Sequence, residues 1–158
     1  GLANTGYGFV RSVGSKFEMV DSGNIKTAAK VPSPDRLKVI SDTLDRLVEL
    51  HRPQVLAIEE LFFSKNVTSA LAVGEARGIA KLVAANNEIP VFDYKPAEVK
   101  KAIVGYGAAT KRQIQEMIKI VLNLDFIPQP DHAADALALA ICHLRSRKYL
   151  ELQERHTI

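Results

Sequence analysis

Val55-Leu56-Ala57-Ile58 is apolar at every position and stops abruptly at two acids, Glu59-Glu60. Side chains alternate between the two faces of a strand, so a run with no polar position has to be covered on both faces. That is the situation of a central strand packed between helices, and it selects the α/β classes. The flanking sequence supplies the cover. Tyr7 to Val13 and Phe17 to Ile25 are β-rich and joined by Gly14-Ser15-Lys16, which predicts a hairpin, and the glycine-rich stretch from Gly1 to Gly8 reads as a turn in front of it. After the break at Val31-Pro32-Ser33-Pro34, Leu37, Ile40, Leu44, Leu47 and Val48 keep helical spacing up to Pro53.

A second helix is expected from about Thr68 to Asn87, then a short strand from Val91 to Tyr94 and a short helical piece from Pro96. After the Gly105-Tyr106-Gly107 break come a helix from Thr110 to Leu122 and a last one from Asp131 to about Tyr149. The pattern predicts an α/β fold with a mixed central sheet and helices on both faces. It forms one domain over residues 1–158, with 151–158 as a disordered tail. A hairpin plus two parallel strands leaves such a sheet without a centre, so a further strand is expected ahead of Gly1.

An apolar share of 47% with 25% charged residues excludes disordered, collagen-like and coiled-coil classes. The longest unbroken apolar run, Ala136 to Cys142, is far short of the ~20 residues a bilayer requires. No secretory leader is visible, and the single cysteine, Cys142, fits a reducing cytoplasm and a plain core position. The net charge of +3 is unevenly spread. Between Lys95 and Lys119 six basic residues face two acids, a local +4 that leaves −1 for the remainder. Such a stretch is the footprint of a polyanion binder, although a solvated helix face produces the same pattern.

Three places carry chemistry. Asp135 lies in a helix that is apolar all round, where a carboxylate needs a partner or a metal, and His132 is three residues earlier on the same face. Asp131, after Pro130, is the natural N-cap. Glu59 and Glu60 end the most apolar strand, the end at which ligands gather in open α/β sheets, and alternation lets only one of them face a given site. Phe62 and Phe63 follow, with Lys65 and Asn66 behind them. An aromatic pair there is either core or a surface for stacking on or wedging between bases.

Together these segments resemble one family, the RuvC-type Holliday junction resolvases of the RNase H-like superfamily. The resemblance covers essentially the whole chain. It rests on residues 1–8 (GLANTGYG), 57–63 (AIEELFF), 76–78 (ARG), Val99-Lys100, Gly105-Tyr106-Gly107 with Lys111, and 132–138 (HAADALA). It implies a homodimeric, Mg²⁺-dependent crossover junction endodeoxyribonuclease, with Mn²⁺ as a substitute, that nicks four-way DNA junctions symmetrically in recombination and repair. The RuvA and RuvB branch-migration proteins are the implied partners.

Within that resemblance Glu59 and Asp135 match two metal-holding acids, and His132 falls where many relatives carry another aspartate, as ligand, proton carrier or both. Phe62 matches an aromatic that opens junction bases. Phe63 and Lys65 are assigned to the same DNA surface, and Lys100 and Lys111 match phosphate-contacting positions. The family's leading aspartate, on its first strand one proline ahead of the glycine matching Gly1, is not in this sequence, so weak nuclease activity is expected of the chain as written. Carboxylates suit Mg²⁺, and one cysteine with scattered histidines gives no zinc spacing. Ala70, Gly74, Gly78 and Ala85 are small enough for close helix approach and are expected at a dimer contact. The alternatives are a non-catalytic junction-binding form, another RNase H-like nuclease, and a fragment of a sugar-kinase or actin-like ATPase. The last lacks a second glycine-rich phosphate loop.

Overall fold

A computed structural model describes residues 1–61 and 66–156. The elements run β1 (Asn4–Val13), β2 (Lys16–Lys26), α1 (Ser33–His51), β3 (Leu56–Glu59), α2 (Val67–Asn86), β4 (Val91–Tyr94), α3 (Pro96–Val104), α4 (Lys111–Val121) and α5 (Asp131–His156). The boundaries have local causes. Pro34 and Asp35 open α1, which ends where Arg52 turns left-handed at φ 47° just before Pro53. Thr110 and Gln113 form a reciprocal capping box on α4. Among the described residues no helix is long and apolar enough to cross a membrane.

The mixed sheet is present in two pieces. β1 and β2 pair antiparallel, β3 and β4 pair parallel with Glu59 opposite Tyr94, and among the described residues β1 and β3 share no ladder. Between the facing edges of β1 and β3 lies a cavity of ≈ 920 Å³, bounded below by α5 (Asp135, Leu139) and above by α1 and α2 (Val48, Ala76). β3 was expected to be fully covered on both faces. Leu56, Ala57 and Ile58 are only part-buried, and all three line this slot.

Each face of the hairpin carries a core. On one side Val10, Phe17 and Met19 pack against Leu137, Ile141 and Ile118 of α5 and α4. On the other, Ile25 and Tyr7 pack with Ile40 of α1 and Ala76 of α2. A bulge makes this possible: Phe9 pairs with Asp21 and Val10 with Met19, leaving Val20 as the extra residue. Because alternation has period 2, one extra residue exchanges the faces, so Met19 and Ile25, both odd-numbered, point into different cores.

The glycine-rich start is a strand and not the expected turn. A Cβ on Gly6 would lie 2.0 Å from the backbone oxygen of His132, and one on Gly8 would lie 2.8 Å from Leu137. These glycines are where α5 presses directly on β1, which fixes the height of the α5 N-terminus over the hairpin.

Candidate active site

Glu59 comes to the slot from the C-terminal end of β3, and His132 and Asp135 come from the first turns of α5. Asp135 is not buried as an all-apolar helix suggested. Its side chain is 58% exposed, on the flank of α5 that faces the slot, while Ala133, Ala134, Leu137 and Ala138 are packed away on the other flank. Glu59 is raised from its ordinary value, first by burial and then by the charge of Asp135, with Arg77 acting in the opposite direction. Partial desolvation on the slot side also raises Asp135, against the charges of Lys111 and His132, which lower it. The charge of Asp135 makes ionisation of Glu59 costly, a cost that a divalent cation held by the two carboxylates would relieve. Glu60 borders the same cavity, but Glu59 is the residue that feels Asp135. The third expected ligand, His132, is exposed at the mouth, and among the described residues no three His, Cys, Asp or Glu side chains converge into a metal-holding group.

Lys111 was expected to face DNA phosphate. Its Nζ lies 3.1 Å from Asp131 Oδ2 and 3.9 Å from Asp135 Oδ2, so its charge is directed at the acids of α5. Asp131 is correspondingly not the N-cap: α5 begins with it, and its carboxylate accepts from Gln115 Nε2 at 3.0 Å and from Lys111. The Lys111 cation holds Asp131 below the usual carboxylate range. Lys100 is part-buried on α3. Phe62, Phe63 and Lys65 lie outside the described residues.

The small residues of α2 divide. Ala70 is buried within the subunit, Gly74 is part-buried with Leu61 Cδ2 3.6 Å from a built Cβ, and Gly78 and Ala85 are exposed. The exposed line of α2 runs through Leu71, Glu75, Gly78, Leu82 and Ala85, steps of four and three residues that keep to one helix face.

One residue of the site had no assigned role. Arg77 belongs to the 76–78 segment of the resemblance. It donates from Nε to the backbone oxygen of Glu59 at 2.7 Å. Its place in the 76–78 segment was the available signal.

A hairpin, a parallel strand pair, and a final helix bringing a carboxylate to the acid at the end of β3 define an RNase H-like nuclease. The family model described as crossover junction endodeoxyribonuclease RuvC matches residues 1–143. A protein of that name from Alkaliphilus metalliredigens is 50% identical over 152 residues, 96% of this chain and 93% of that one. One from Chloroflexus aggregans is 50% identical over 143 residues, 90% and 87% of the two chains. The solved structure of Thermus thermophilus RuvC in complex with Holliday junction substrate superposes with a TM-score of 0.90 at 32% identity, covering 94% of this chain and 91% of that one. The chain belongs to the RuvC family of crossover junction endodeoxyribonucleases.

Proposed function

We propose that this chain acts as one domain, paired with a second copy, to nick opposed strands of a four-way DNA junction in the cytoplasm. The observation that supports this most is that Glu59 and Asp135, carried by separate elements, line one cavity, where the charge of Asp135 bears on Glu59. These two hold Mg²⁺, or Mn²⁺ in its place, with His132 beside them. The bound ion supplies an activated water and charge stabilisation at the leaving oxygen. The chain's own residues do the rest. The end of β3 presents Glu59, Lys111 balances the acids of α5, and Lys111 and Lys100 with Phe62, Phe63 and Lys65 form the DNA surface. The exposed line Leu71, Gly78, Leu82 and Ala85 on α2 supports the pairing of two copies, and a two-fold pair sets two sites for two cuts. Partnership with RuvA and RuvB rests on family resemblance alone.

A second reading is favoured by the absence of a three-residue metal group among the described residues: binding of the junction without cleavage. Both readings meet in the slot. We propose that full activity requires a further strand there, antiparallel to β1 and parallel to β3, carrying the third acid. The test is Mg²⁺-dependent nicking of a synthetic four-way junction by the chain as written and by a form with a strand ending in Asp-Pro added before Gly1. The expected outcome is junction binding by both forms and strong nicking only by the second. In that second form Glu59→Gln and Asp135→Asn should each abolish nicking, with junction affinity kept within a few-fold. Equal loss of binding would make the two acids structural.

A further inference from the structure

Arg77 reaches inward from α2, with only 18% of its side chain exposed. Its Nε donates to the Glu59 backbone oxygen at 2.7 Å, and its Nη2 donates to Asp93 Oδ1 at 2.5 Å. Lys81 Nζ, one turn further along α2, lies 3.4 Å from the same Asp93 oxygen. Asp93 sits on β4 opposite Ile58, so the guanidinium bridges the end of one strand to the side chain of its neighbour. On the same peptide unit the Glu60 N–H donates to the Tyr94 oxygen at 2.8 Å. The Glu59–Glu60 peptide is therefore held at both of its polar atoms, by Arg77 at the carbonyl and by β4 at the N–H.

A side chain at a strand end inherits its aim from the peptide that follows it, and β3 stops here. An ordinary surface ion pair would account for the bond to Asp93. It does not account for the bond to an uncharged main-chain oxygen, which needs the second arm of a planar fork. We infer that Arg77 is a positioning residue: it ties the Glu59–Glu60 peptide to β4 and so holds the Glu59 carboxylate facing Asp135 across the slot. The inference rests on reading Glu59 as a metal-holding acid. Conserving the charge as lysine does not conserve the function, because a single ammonium on a flexible stem cannot span both acceptors in a fixed plane.

The experiment titrates Mn²⁺ alone into the folded chain and follows free Mn²⁺ by electron paramagnetic resonance, with a melting curve for each variant. Glu59→Gln should weaken Mn²⁺ binding. Arg77→Met should weaken it about tenfold, the scale on which outer partners of a metal ligand act, and Arg77→Lys should fall near Arg77→Met. In the Glu59→Gln background Arg77→Met should cost less than about twofold more, because its route to the metal is already gone. Full affinity in Arg77→Lys would show that charge suffices and overturn the clamp. A further tenfold loss in the double variant would overturn it too, by showing that Arg77 acts on the whole fold. Unchanged affinity in Glu59→Gln would sink the reading of the site itself, whereas loss in Glu59→Gln with none in Arg77→Met would sink the inference alone. Should Arg77→Met melt early, Asp93→Asn loosens the clamp from its far end at constant size. A smaller loss in the same direction would support the clamp, and none would overturn it.

Discussion

Against β1, α5 lies so close that two strand positions have no room for a Cβ; against β3 it stands off across a cavity of ≈ 920 Å³. One helix thus meets two strands in opposite ways. Its hairpin side is dry, with Leu137 and Ile141 wholly buried and Cys142 raised from its ordinary value by burial. Its β3 side carries Asp135 and is open to solvent. Shape decides stability on the first side and charge decides behaviour on the second, so substitutions on the two sides should differ in size and in sign.

The largest effect is expected at Leu137, where truncation to alanine should cost about 3–4 kcal/mol in denaturant unfolding, the usual scale for a fully enclosed leucine. A loss below about 1 kcal/mol would mean that this side repacks freely, and the contrast would collapse. Next comes Gly6→Ala. The new Cβ would meet main chain and not a movable side-chain tip, so a destabilisation of about 1–3 kcal/mol is expected. Gly78→Ala, in the middle of α2 with nothing within 4 Å of its added Cβ, is the control and should gain up to about 1 kcal/mol from helix propensity.

The smallest effect has the opposite sign. Glu59 and Asp135 both have raised values in the folded chain, so the stability each contributes is present below its unfolded value and is lost as pH rises through the folded one. At neutral pH each ionised carboxylate is therefore a burden on the fold. Glu59→Gln should raise the melting temperature there by an amount worth less than about 1 kcal/mol, since solvent screens both groups. The gain should fade as the pH drops below the ordinary carboxylate range. A lowered melting temperature at pH 7 would mean that Glu59 is an ordinary structural acid, and the two sides of α5 would no longer differ in kind.

Local pattern was enough for most of the architecture. The hairpin, the strand ending at Glu59, the Val91–Tyr94 strand and helices α1 to α4 follow from periodicity, prolines and caps, because those signals act within a few residues. Helix α5, by contrast, continues to His156, past the expected end near Tyr149 and into the stretch expected as a disordered tail. What escaped involves partners far apart in the chain. Glycines at 6 and 8 look like turn residues until α5, some 130 residues later, is laid across them. Asp131 satisfies every N-cap rule, yet its carboxylate is taken by Lys111 and Gln115 of α4. Glu59 and Asp135 could be singled out as acids in unusual company, but the influence of Asp135 on Glu59, and the grip of Arg77 on the Glu59 carbonyl, exist only once β3, α2 and α5 are assembled.

The bulge at Val20 gives the hairpin a property that its length does not show. Residues 17 and 19 on one side of it and 22 and 24 on the other share a face, so β2 carries two phases of the same two-beat rhythm. Straightening the strand with Val20 kept in the ladder would put the segments out of phase, whereas deleting Val20 sets Met19 directly before Asp21 and leaves the other side chains on their present faces. In the straightened strand, holding Ile25 toward α1 would turn Phe17 and Met19 away from α5, and holding those two would turn Ile25 outward. The bulge is thus what lets a strand of this length serve both cores, and deleting Val20 would remove a local bend and not a core.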